Sequence, residues 1–173
     1  ILVGLIVSLA SGMALPAIVI DLLSIGTAAG ALLVMVLAFA GVAQGAWSQA
    51  GRALAVSGLT LVLAGDAFQA VALRGSADAA LMWSISFAIR DGVGNGLFYA
   101  SLLVLGVLML PGHRWLGGMA LANGALGYAA MLFAAEVGVP PHLNFMLVAA
   151  WFVALGVAWW GEAEAPAMTP RRE

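Results

Sequence analysis

Apolar stretches of about 20 residues recur along this chain with only short polar interruptions. At about 1.5 Å of rise per residue, a helix of that length crosses the roughly 30 Å hydrocarbon core of a bilayer. A chain that repeats the pattern is expected to fold as a bundle of transmembrane helices. Composition points the same way: 64% of residues are hydrophobic and 8% charged, against roughly 45–50% and about 25% in an ordinary soluble domain. A soluble fold of 173 residues could not hide that much apolar surface. The length leaves room for about six or seven crossings joined by short loops. The expected class is therefore an all-α, polytopic transmembrane bundle over residues 1–161, with a short polar tail over residues 162–173.

The same composition removes several chemistries. Net charge is -2, with no basic run of the kind that grips nucleic acid, so a nucleic-acid partner is not expected. There is no cysteine, which excludes disulfides, thiolate metal sites, iron–sulfur clusters, c-type haem attachment and cysteine nucleophiles. All six basic residues are arginine, so a retinal or pyridoxal Schiff base has no lysine on which to form. No cofactor and no metal are expected.

The first stretch, Ile1 to Ile20, is apolar apart from small residues and Pro16, and has no charged segment ahead of it. It reads as a span rather than a cleaved leader. A turn is expected at Asp21–Gly26, then a second span over Thr27–Ala46 and a third over Ala53–Leu73. Between these last two lie Gln44, Trp47, Ser48, Gln49 and Arg52, a polar and aromatic group of the headgroup type. From Ala79 to Leu110 a single helix would be about 48 Å long, more than a bilayer is thick. The three glycines of Arg90-Asp-Gly-Val-Gly-Asn-Gly96 weaken a helix, and two adjacent charges are costly at mid-membrane. The reading is an interfacial or re-entrant helix over Ala79–Ile89, followed by span four over Asp91–Leu110. Span five is Trp115–Val137 and span six Leu143–Trp160.

Six spans put both termini on one side. That side collects Arg52, Arg114, Arg171 and Arg172. The opposite side holds Arg74 and Arg90 together with Asp21, Asp78, Asp91 and Glu136. By the positive-inside rule the termini are cytoplasmic, and Trp47, Trp115, Trp159 and Trp160 fall at the same boundary, as an aromatic belt would. The expected location is a bacterial plasma membrane.

Small residues recur at Gly26-x-x-x-Gly30, Gly41-x-x-x-Gly45 and Gly4, Ser8, Gly12. Such spacing lets helix backbones approach closely, within the bundle or across a dimer face. Segments starting at Gly41 and Gly106 share a span, a turn with Trp and Arg, and a second span, which hints at a parallel internal repeat.

An ionisable side chain at the centre of a membrane helix costs roughly 2.5–3.5 kcal/mol on insertion scales and is a functional candidate for that reason. Asp66 lies well inside span three with Gln69 one turn later. Arg90, Asp91, Asn95 and Tyr99 open span four, the last three at intervals of four. Glu136 closes span five and His142 opens span six. Together they could line a pocket open to the outer face, with Asp66 and Arg90 paired because a carboxylate at that depth needs a cation nearby. The same residues fit a structural ion pair surrounded by groups in wet headgroups. Asn123, Tyr128 and Trp151 are read as interhelical hydrogen-bonding and packing residues.

Sharper enzymatic readings fail. His113 and His142 fall on opposite sides and cannot share a haem or a metal. A serine hydrolase needs a serine and a histidine at the same depth, and no Gly-x-Ser-x-Gly occurs. Asp66 and Asp91 supply paired carboxylates without the flanking glycine and tyrosine pattern of intramembrane aspartyl proteases. Asp91-Gly92 lacks the rest of a phosphatidyltransferase signature.

The run Leu97–Gly118, continuing to Gly127-Tyr128, resembles the span, Pro-Arg turn, Leu-Gly, span pattern of small six-span bacterial membrane proteins in families of unknown function. The resemblance implies the architecture and no activity. Two roles follow from the residues. One is a protein that binds or transports a small ion, polar or lipid ligand through an outward-facing polar site. The other is a structural or accessory subunit with no ligand. An enzymatic role ranks last. The partners implied are the lipid bilayer, a small ligand, and a second copy of the chain or a partner membrane subunit.

Overall fold

A computed structural model describes residues 17–42, 44–73, 78–137 and 141–164; the side chains of 17–18, 20–24, 73, 134–137, 141–145 and 161–164 lie outside that description. The described residues are all helix and short turns, without a strand. Helix α1 is Ala17–Gly41 and α2 is Ala46–Leu73. A continuous rod follows, made of α3 (Ala79–Phe87), a π-helical segment (Ala88–Gly94) and α4 (Asn95–Met109). Then come α5 (Arg114–Val137) and α6 (Pro141–Glu164). Helix α1 packs on α2, α2 along the whole of the rod, α4 on α5, and α5 on α6.

Three of these helices are long and apolar enough to cross a membrane: Ala46–Ala72, Ala79–Met109 and Arg114–Phe133. Shorter apolar stretches, Ile25–Gly41 and Met146–Trp160, flank them. The core is a line of large apolar side chains, Met35, Phe39, Leu59, Leu102, Leu105, Leu116, Trp151 and Leu155, drawn from all five rods. The outer faces are apolar too: Leu33, Leu37, Leu132, Val153 and Val157 are all exposed. A helix apolar all round its circumference and exposed on one face is at home in lipid, so the chain has the build of an integral membrane helical bundle.

Turn chemistry is local. The Gln44 amide donates to carbonyls in the last turn of α1, at Phe39 (3.2 Å) and Ala40 (3.2 Å), and to the Val42 carbonyl just beyond it (2.9 Å). It thereby supplies donors to carbonyls that a helix end leaves without partners. Pro111 cannot continue α4, and the His113 amide closes the turn onto the Met109 carbonyl at 2.8 Å.

Three expectations change. Asp21–Gly26 is not a turn, because α1 runs helical through it. One glycine costs a helix only about 1 kcal/mol, and no proline follows to stop it. The expected division between spans one and two is lost there, and the start of span one, through Pro16, lies outside the described residues. The interfacial or re-entrant helix expected before span four is instead the first third of a continuous rod. The glycines of Arg90–Gly96 do not break the helix; its hydrogen bonding passes through them in π form, with the Asn95 amide reaching back to the Arg90 carbonyl. Finally, a β-carbon on Gly26, Gly30, Gly41 or Gly45 would meet nothing within 4 Å. Those spacings do not pack the described bundle, and Gly4, Ser8 and Gly12 lie outside the described residues.

Candidate functional site

Close approach is carried by other glycines. Gly51, Gly58 and Gly65 recur every seven residues, two helical turns apart, and all three are buried on the face of α2 that meets its neighbours. A β-carbon at Gly51 would come within 2.5 Å of the Phe39 ring and 2.7 Å of Val104. At Gly58 it would meet the Phe98 amide nitrogen at 2.7 Å and the Gly94 carbonyl at 2.8 Å, and at Gly65 the Arg90 β-carbon at 2.5 Å. Partner numbers fall as α2 numbers rise, so α2 and the rod run antiparallel. Gly94 returns the contact, with space for a β-carbon closed by the Val62 amide nitrogen at 3.0 Å. The π segment is thus held against α2 backbone to backbone, which fixes where its charged side chains stand.

Arg90 is the hub. Its Nη1 donates to Asp66 Oδ1 at 3.2 Å and also to Gln69 Oε1. Its Nε and Nη2 make a two-pronged contact with Asp91, at 3.1 Å to Oδ1 and 2.9 Å to Oδ2. Asn95 Nδ2 donates to Asp91 Oδ1 at 3.2 Å, one turn along the rod. Asp66 is 3% exposed, while Arg90 and Asp91 keep side-chain exposures of 23% and 30%. A planar guanidinium that presents separate edges can serve two carboxylates at once, which an ammonium could not do with the same geometry.

Five of the candidate residues therefore come together: Asp66, Gln69, Arg90, Asp91 and Asn95. Tyr99 does not continue the row. Its ring turns to α5, against Gly127, and lies 6.1 Å from the Tyr128 ring in an edge contact. The side chains of Glu136 and His142 lie outside the described residues; the backbone of α5 leaves helical geometry at Phe133, just before Glu136. Tyr128, Asn123 and Trp151 tie helices together, donating to the carbonyls of Gly96 (2.7 Å), Leu147 (3.3 Å) and Leu116 (3.0 Å).

One member was not evident beforehand. Ser86, four residues before Arg90 and so on the same face, is fully buried against α2 near Gly65, and its hydroxyl has no hydrogen-bond partner among the described residues. A buried hydroxyl without a partner is costly. In a chain rich in small residues nothing about a lone serine marks it, except its spacing from an intramembrane arginine.

Depth follows from helix length. The rod, about 46 Å long, is centred near Gly94, and α2 near Leu59; Gly58 and Gly94 are in contact. Arg90 and Asp66 then lie about 6–10 Å from that midpoint toward the α2 C-terminus, a distance that falls inside the roughly 15 Å half-thickness of a hydrocarbon core centred on it. Among the described residues, two carboxylates, Asp66 and Asp91, share the one Arg90 guanidinium there. Among the described residues, no three His, Cys, Asp or Glu side chains gather as a metal-binding group. Comparison with protein-family models, curated proteins and solved structures finds no match for the chain.

Proposed function

We propose that this chain is a multi-pass plasma-membrane protein, bacterial in type, whose Asp66–Arg90–Asp91 cluster binds or carries a small monovalent cation or a proton. The observation that carries the reading is the sharing of one guanidinium between two carboxylates, one of them almost wholly buried. A low-polarity interior penalises an uncompensated charge heavily, and two carboxylates gathered on one described guanidinium favour a positively charged ligand over an anion. Gln69, Asn95 and the Ser86 hydroxyl, which has no partner among the described residues, add uncharged oxygens and donors around it. The π segment supports the reading, since π turns occur mostly within α-helices and frequently at functional sites.

The topology proposed with it places the end bearing Arg52, Arg114 and the C-terminus in the cytoplasm. With a sixth crossing ahead of Ala17 the N-terminus is cytoplasmic too, and the cluster lies toward the outer face.

The accessory-subunit reading has its own support: Asp66 is already engaged by Arg90, across a helix contact as tight as Gly65 allows. The unfolding temperature of purified protein in sodium, potassium or lithium chloride, against N-methylglucamine chloride at equal ionic strength, separates the two. Proton uptake on acidification is measured in parallel. A cation-specific rise, or a proton taken up by wild type and missing from Asp66→Asn and Asp91→Asn, supports binding. With neither response, the cluster is a helix lock.

A further inference from the structure

At the opposite end of the bundle from the ion cluster, α1, α4, α5 and α6 leave a cleft of about 100 Å³ between them. Most of its lining side chains are apolar, among them Ala38, Met109, Leu116, Leu155 and Trp159, but the surface it exposes is mixed polar and apolar, and its one ionisable lining residue is His113, in the turn between α4 and α5. We propose that this cleft holds an anionic phospholipid, with its first acyl carbons between the helices and its phosphate at His113 and Arg114.

Three observations carry the assignment. First, the level is right. Trp47, Trp115 and Trp160 are exposed at this end, as indole rings are at the headgroup boundary, so the cleft opens where the glycerol backbone of a lipid lies. Second, the charge is right. Arg114 directly follows His113 and is exposed, as is Arg52 on the same end, while the described carboxylates Asp66, Asp78 and Asp91 are placed elsewhere. Glu162 and Glu164 continue α6 about 4–8 Å beyond Trp159 along the helix axis. Basic pockets between transmembrane helices recognise anionic headgroups in this way. Third, the cleft is built. The Trp151 indole nitrogen donates to the Leu116 carbonyl at 3.0 Å and the Gly117 amide to the His113 carbonyl at 2.9 Å, which fixes the wall and the turn. Gly41, at the rim, leaves open the space a side chain would fill. At about 30 Å³ per water-sized volume, the cleft takes a few methylene groups; the rest of the chain runs along the lipid-facing surface.

The test is native mass spectrometry of the full chain in detergent, with phosphatidylglycerol and phosphatidylcholine added at equal concentration. The expected result is one retained phosphatidylglycerol, preferred over phosphatidylcholine by about five-fold, the contribution of one basic side chain near an anionic lipid. Arg114→Gln should abolish the preference and keep the binding. Gly41→Leu, whose added atoms enter open space and leave the fold intact by circular dichroism, should remove retention of both lipids. Equal retention of the two lipids by wild type overturns the proposal, as does full retention in folded Gly41→Leu. Displacement of phosphatidylglycerol by inorganic phosphate alone would also overturn it, by making the site one for a free anion.

Discussion

Gly65 and Arg90 stand so close that a β-carbon on the glycine would lie 2.5 Å from the β-carbon of the arginine. The ion cluster therefore depends on a missing side chain on α2 as much as on the charges themselves. Gly65→Ala must push the π segment away from α2, and the first contact to lengthen is the one from Arg90 to Asp66. A loss of about 1–3 kcal/mol is expected, as for overpacking in a well-packed core. Gly26→Ala, whose β-carbon meets nothing, should be neutral or slightly stabilising. Denaturant unfolding in mixed micelles compares the two; equal effects would show that α2 and the rod are not locked at this point.

Arg90→Gln removes the cation that Asp66 and Asp91 share. Breaking a buried pair from one side costs about 3–5 kcal/mol. The loss should shrink when Asp66→Asn is added, because the double variant no longer buries that charge. Neighbouring residues in one network couple by roughly 0.5–3 kcal/mol. A double-mutant cycle reads the coupling directly, and simple additivity of the two losses would mean that Arg90 and Asp66 do not depend on each other.

The pair itself was legible in the sequence because a charge at depth demands a counter-charge, and only Arg90 was placed to supply it. Gln69 and Asn95 were legible from helical spacing relative to Asp66 and Asp91. Tyr99 fits the same spacing, yet its ring lies against Gly127 of α5; a step of four residues overshoots the 3.6-residue α-helical turn, so a row of fours drifts off its first face. Gly65 was hidden for a different reason. Short Gly-x-x-x-Gly intervals draw attention, whereas the packing face of α2 repeats at seven, through Gly51, Gly58 and Gly65. Asp21–Gly26 reads as a turn by rules learned in water, where a polar residue and a glycine end a helix cheaply. Beside apolar neighbours on both sides the backbone keeps its internal hydrogen bonds instead.

The absence of cysteine makes the topology directly testable by single-cysteine labelling. Cysteines at Gly45 and Gly112, where added atoms meet open space, should react with an impermeant maleimide only after cells are permeabilised. A cysteine at Ser76, between α2 and α3 in the sequence, should react in intact cells. The reverse pattern would invert the bundle. A cysteine at Leu2 then counts the crossings ahead of α1: labelling together with Gly45 and Gly112 gives six in all, and labelling with Ser76 gives five.

The π segment offers a way to separate function from architecture. A π turn holds one residue more than the α-helical turn it replaces, so removing one should restore α geometry while the helices on either side keep the faces they present to α2 and α5. Gly92 is the residue to remove, because it is exposed and a β-carbon there would meet nothing. Its deletion shortens the step from Asp91 to Asn95 from four residues to three and so disturbs the Asn95–Asp91 contact, while Gly58, Gly65 and Gly94 keep their seats. If the π turn exists to shape the ion cluster, the deletion variant should unfold at or above the wild-type temperature and lose the cation or proton response. A variant that unfolds well below wild type would instead make the π turn part of the packing itself, its geometry imposed by the glycine contacts with α2 and unrelated to any bound ion.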